Sequence, residues 1–162
     1  MSQISSNMTT RELLVVILNH TNEELDLEPE SPSLDHGHWM DTPDSRPPPE
    51  ILAGESGMLR CKSSHVGVGV GGSVTYGVVG YGANNKVIFV WNVPYVGPNR
   101  FDCSCAVDAF TVRVLGGRGT QPVVVFVLEP ARTPKPGYNV VGAVTEGPVE
   151  CAEAPISSLS QS

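Results

Sequence analysis

Charged side chains are scarce in this chain, 17% of 162 residues, while glycine (17) and proline (14) are plentiful. That mix predicts frequent turns, few helices and an all-β domain. No apolar run reaches the roughly 18 residues a membrane-spanning helix needs. The run Leu13 to Leu18 is too short for a span, follows Arg11 and Glu12, and has no small-residue cleavage site behind it. It reads as a first strand rather than a signal peptide. The expected location is therefore cytoplasmic, or outside by release without a signal, with peripheral membrane contact. On the same ground the sequons at Asn7 and Asn19 are expected to be idle.

Cysteine is also sparse. Cys61, Cys103, Cys105 and Cys151 are enough for two disulfides, but the missing signal argues for a reducing compartment. Cys103 and Cys105 stand too close on an extended chain to pair with each other. Free thiols are the expectation, with one long-range bridge as the alternative.

Several motifs are missing as well. Gly67-Val-Gly-Val-Gly-Gly72 lacks the Lys-Ser/Thr of a phosphate loop and has strand-like flanks on both sides. No Gly-x-Ser-x-Gly elbow and no carboxylate pair on one strand face are present. No dense cluster of Lys and Arg suggests nucleic acid. His36 and His38, with Asp35 and Asp41 nearby, can share a metal with His20 or His65, yet nothing fixes a third ligand. The chain is thus expected to be no enzyme, with no catalytic residue, cofactor, metal or nucleic-acid partner.

What is present is a series of β patterns. The length suits one domain. Residues 1–10 are polar and expected to be disordered, 11–145 to form a single β-sandwich of two sheets, and 146–162 to be a flexible tail. Within the domain, 11–19, 24–28, 50–53, 57–63, 66–79, 87–93 and 122–128 read as strands. A long Pro/Asp/His-rich irregular loop is expected from 29 to 49, either functional or held down by Trp39. Beyond Asn99, Val107, Phe110, Val112 and Val114 are core candidates, and Val140–Val141 with Ala143–Val144 suggest one more short strand. Val87 to Trp91 is apolar on both faces and belongs in the middle of a sheet. Pro94 then stops the ladder, having no N–H to donate, and Tyr95 is carried out onto a turn.

Charge is unevenly spread. From Glu23 to Glu55 there are ten acids and one base, whereas from Ser56 to Thr145 eight bases face three acids. Those bases suit a solubilising surface or anionic headgroups and sugars. Of the aromatics, Tyr76, Phe89 and Trp91 are core candidates. Trp39, Tyr81, Tyr95 and Phe101 lie beside turns, where a flat ring suits a membrane interface, a choline group or a sugar.

The order of four motifs, Leu14-Val-Val-Ile-Leu-Asn19, Pro49-Glu-Ile-Leu-Ala-Gly54, Val70-Gly-Gly-Ser-Val-Thr-Tyr76 and Val87-Ile-Phe-Val-Trp-Asn-Val-Pro-Tyr95, resembles the actinoporin-like cytolysin/lectin β-sandwiches. These include the actinoporins, the fungal fruit-body lectins and, more loosely, the aegerolysins. The resemblance covers residues 11 to 128. It implies a phosphocholine or sphingolipid-like headgroup site in which Pro94 and Tyr95 match family positions and Tyr81 does so by neighbourhood. With Trp39 and Phe101 from the turn aromatics, and Arg100 from the basic body, these make the expected ligand-binding set. The chain departs from the actinoporins in lacking a dense Tyr/Trp cluster after Tyr95. About ten polar residues precede the first strand, too few for a pore-lining amphipathic helix. Binding to a membrane headgroup, with pores only through a partner protein or a homo-oligomer, is the first expectation. A lectin stacking a glycan on Trp39, Tyr81 or Tyr95 is the alternative.

Overall fold

The computed structural model describes residues 10–132 and 149–150. Among the described residues twelve strands form two sheets packed face to face, and there is no helix. One sheet runs in the order β12 (Val149–Glu150), β10 (Phe110–Gly116), β11 (Val123–Pro130), β1 (Glu12–Asn19), β6 (Ser56–Lys62), β4 (His38–Trp39). The other runs β5 (Glu50–Ile51), β2 (Leu25–Leu27), β7 (Val70–Val78), β8 (Lys86–Val93), β9 (Arg100–Cys105), with β3 (Ser33–His36) also on β7. The all-β sandwich expected from composition is what the chain builds.

Strict alternation explains the layers. In β1 the odd positions Leu13, Val15 and Ile17 are buried and the even ones half-buried. They face Val74, Tyr76, Phe89 and Trp91 of the second sheet, and Phe89 meets Phe126 of β11 with ring centroids 4.9 Å apart. A β-strand turns alternate residues to opposite faces, so one face of each sheet makes this core. β8 does hold an inner place in its sheet. However, Ile88 and Val90 on its outer face are only half-buried, so burial on both faces does not hold for this strand.

Four readings need correction. The loop expected at 29–49 supplies two edge strands, because Gly72 gives β3 room to approach: a Cβ there would lie 2.3 Å from the Ser33 carbonyl oxygen. Between β2 and β3 the Ser31 hydroxyl replaces a rung of the ladder, accepting from Thr75 N (3.0 Å) and donating to Thr75 O (3.1 Å). Residues 100–105 form β9, which the sequence reading passed over. The Gly-rich strand starts at Val70, not Val66, and 63–69 is a loop. Finally, Cys61 and Cys105 are free and buried but Cys103 is disulfide-bonded, against the expectation of free thiols. Cys151, Asn7 and the strand expected around Val140–Val144 lie outside the described residues.

Asn19 is not available as a sequon. Its fully buried amide donates to the carbonyls of Glu23 (2.8 Å), Ile51 and Leu52 (3.1 Å each), and its Oδ1 accepts from the Thr21 amide and hydroxyl.

Candidate functional site

The sandwich has two loop-bearing ends of opposite character. At one end lie the start of β1, the β6–β7 loop (63–69), the β8–β9 loop (94–99) and the β10–β11 loop (117–122). Backbone and side-chain bonds bind these pieces together. Arg11 N donates to Ser63 Oγ and Ser63 N to Arg11 O, both at 2.9 Å, which ties the β6–β7 loop to β1. Gly69 lets that loop reach the next one, since a Cβ there would sit 2.4 Å from Val93 O and 2.7 Å from Pro94 Cα. Asn99 Nδ2 donates to Gly117 O (2.8 Å) and Gly119 O (2.9 Å), stapling the β8–β9 loop to the third.

At the centre of this end Arg11 crosses from the first sheet to the second. Its guanidinium lies over the Tyr95 ring, 4.2 Å from the centroid, and its Nη2 donates to Tyr95 O at 2.7 Å. Planar stacking and a hydrogen bond at once suit arginine rather than lysine. The other guanidinium N–H groups have no partner among the described residues. Around this stack the loops present aliphatic side chains to solvent: Val96 is 82% exposed, Val66 54% and Val68 37%. Lys62 and Arg100 stand at the adjoining strand ends, forming no ion pair among the described residues.

The opposite end is acidic. Oxygens of Glu24, Asp26 and Glu50 lie within 4.8 Å of one another. The hydrogen bond with Asp26 is the main cause holding the Glu24 carboxyl above its ordinary value, and the charges of Asp26 and Glu50 add to it. Glu23, Glu55 and Asp108 belong to turns at the same end. Lys86, also there, is neutralised by Glu28 at 2.7 Å. Glu23, Glu24, Asp26, Glu50 and Glu55 of the acidic front segment thus lie at the end remote from Arg11, whereas Asp35, beside the His36–Gly71 pair, lies toward the Arg11 end.

The expected site residues are divided by this geometry. Pro94, Tyr95 and Arg100 lie together at the basic end. Phe101 lies beneath them, half-buried over Gly117, where a Cβ would come within 2.5 Å of its ring. Trp39 is half-buried and edge-on to Trp91, with centroids 6.5 Å apart, so its ring packs against the core. Tyr81 is at the acidic end, edge-on to Phe110 at 5.5 Å. The eight-residue strand β8, roughly 25 Å long, separates Tyr81 from Tyr95. His36, His38 and His65 are exposed and join no metal-spaced group among the described residues.

Sequence reasoning passed over Arg11, Val66, Val68 and Val96. The available signals were a base at the mouth of an apolar strand, and the polar run Ser63-Ser-His65 before Val66-Gly-Val-Gly69, which marks a loop.

The thiols add no reactive group to this end. Burial pushes Cys61 up to about 12, with the Trp91 side chain acting weakly the other way, and burial also raises Cys105. Neither is the low-pKa, accessible thiolate that nucleophilic chemistry uses.

The chain matches no family model and no curated protein sequence. Its fold does match solved structures. The crystal structure of the lipid binding protein Nakanori is similar with a TM-score of 0.62 at 14% identity, over 79% of this chain and 75% of that one. The RahU protein, crystallised in complex with a Tris molecule, gives 0.59 at 16% identity, over 76% of this chain and 98% of RahU. At such identities the likeness is one of fold.

Proposed function

We propose that this chain is a binding module rather than an enzyme, and that it docks peripherally on a phospholipid surface through the end built around Arg11 and Tyr95. The observation that carries this reading is Val96, 82% exposed at the tip of a loop beside a guanidinium–aromatic stack. Single exposed aliphatics are ordinary on a soluble protein. Val96, Val66 and Val68 instead stand on two touching loops flanked by bases, which suits insertion of the valines with the bases at headgroup level. Burying three valines contributes roughly 4 kcal/mol, enough for weak, reversible attachment. The Nakanori likeness supports the same reading, since a lipid binding protein there uses this fold.

The headgroup in this reading carries a phosphate, as the phosphocholine or sphingolipid-like expectation requires. Arg11 already occupies one face of Tyr95, so the guanidinium anchors the phosphate and a choline group takes a lesser part. A cytolysin-like role would need an oligomer or partner. The lectin alternative is less favoured, because Trp39 and Tyr81 are engaged with Trp91 and Phe110 and share no platform with Tyr95.

The test is flotation of the full chain with vesicles of sphingomyelin, phosphatidylcholine and mixed phospholipids. Association with phospholipid vesicles that Val96→Asp abolishes is the expected result. A chain that stays in the aqueous fraction with every phospholipid would remove the reading.

A further inference from the structure

We infer that the surface this domain docks on is a net anionic leaflet, met end-on with the acidic end pointing away. The inference rests on the proposed lipid-binding reading and adds the charge class of the lipid and the orientation. Its basis is the separation of charge between the two ends. Arg11, Lys62, Arg100 and, on the third loop, Arg118 lie around the exposed valines, against Glu12 (opposite Lys62 in register), Asp35 (beside the His36–Gly71 pair) and Asp102 (farther along β9), four bases to three acids. Glu23, Glu24, Asp26, Glu50, Glu55 and Asp108 gather at the other end.

The chain's net charge of −7 taken as a whole would repel an anionic membrane. Distance decides against that. Exposed charges are screened over about 8 Å at physiological ionic strength. The acidic end lies roughly 25 Å of strand away from the lipid-facing loops. The leaflet therefore feels the local bases, while the remote carboxylates are screened and bias the domain to stand upright. Nucleic acid or a sulfated polymer would also attract the bases, but neither gives Val96 an apolar place to go.

The experiment measures sedimentation of the full chain with vesicles of phosphatidylcholine alone or mixed with phosphatidylserine, at low and physiological salt. Binding about tenfold tighter to the mixed vesicles, weakening as salt rises, is expected. The double variant Lys62→Glu/Arg100→Glu removes this preference. Glu55→Lys shifts net charge toward positive at the remote end and leaves the preference as it was. Equal binding to both vesicles overturns the inference but leaves the lipid-binding reading standing, whereas binding to neither removes both. A gain in anionic binding from Glu55→Lys as large as the loss from the double variant would show that net charge, not orientation, governs, and would also overturn it. So would tight binding to heparin with no vesicle binding.

Discussion

Arg11 and Tyr95, 84 positions apart in sequence, meet at the mouth of the sandwich, with the guanidinium 4.2 Å from the ring centroid and a 2.7 Å hydrogen bond to the Tyr95 carbonyl. The pair joins the first strand of one sheet to a loop of the other. Tyr95→Ala is expected to weaken vesicle binding by more than about 1 kcal/mol, as for other aromatic anchors. Arg11→Lys keeps the charge but loses the stack, and should retain only part of the affinity. Circular dichroism and the urea midpoint check that both variants fold. Binding equal to wild type in Tyr95→Ala would remove Tyr95 from the site.

Val96 makes so little contact with its own protein that its replacement tests function with little stability cost. Val96→Asp should leave the unfolding midpoint within about 0.5 kcal/mol of wild type, as for surface substitutions generally. The same change should abolish flotation with vesicles. Val96→Trp should strengthen it, a Trp being suited to the interfacial region.

Asn19 holds three carbonyls and two donors at the far turn of β1. Asn19→Ala takes the amide donor from the buried Ile51 carbonyl and leaves Leu52 O only Glu55 N at 3.0 Å, an expected cost of about 3 kcal/mol. Urea unfolding measures this, and a loss below about 1 kcal/mol would show that water replaces the amide.

Glu24 gives the pH dependence its sign. Its carboxyl is held above the ordinary value of 4.5, so the folded chain binds this proton more tightly than the unfolded one. The associated penalty is absent at low pH and develops as pH rises from that value through the raised one. Glu24→Gln should therefore raise the melting temperature at pH 7, with the gain fading toward pH 4. A gain that grows on acidification would contradict the assigned cause.

Gly72 is tested by adding one carbon. Gly72→Ala places Cβ 2.3 Å from the Ser33 carbonyl oxygen, a backbone atom, so β3 must move. A loss of about 1–3 kcal/mol is expected, the usual cost of overpacking. Exchange of the Leu34 amide should accelerate more than that of the β1 amides.

What was legible in the sequence follows from where the information lies. Val87 to Val93 and Val70 to Tyr76 were readable because alternation and apolar content belong to the strand itself. Arg100-Phe-Asp-Cys-Ser-Cys105 carried the same period, with Phe101, Cys103 and Cys105 turned inward, but its cysteines drew attention to thiol chemistry instead. β3 and β4 were not legible, since strands of four and two residues exist through the backbone of β7 and β6 rather than their own propensity. Within the site, Pro94 announced the end of a ladder and so exposed Tyr95. Arg11 carried no local mark, because its role arises only when the fold brings residue 95 beside it. Tyr81 and Tyr95 looked alike in sequence, each beside a turn, and only the direction of β8 sends them to opposite ends.

β1 lies antiparallel to β6 and parallel to β11, whose partners run from Leu14↔Val123 to Asn19↔Leu128. A chain made from its N-terminus can form the β1–β6 ladder early, but the other edge of β1 waits for β11, whose first residue, Val123, follows the end of β6 at Lys62 by 61 positions. Through that interval Leu13 to Leu18 forms an open apolar edge, the kind that pairs with neighbouring chains. Non-local pairing of this kind folds slowly in general, so late closure of the β1–β11 ladder is expected to make folding yield sensitive to temperature and expression rate.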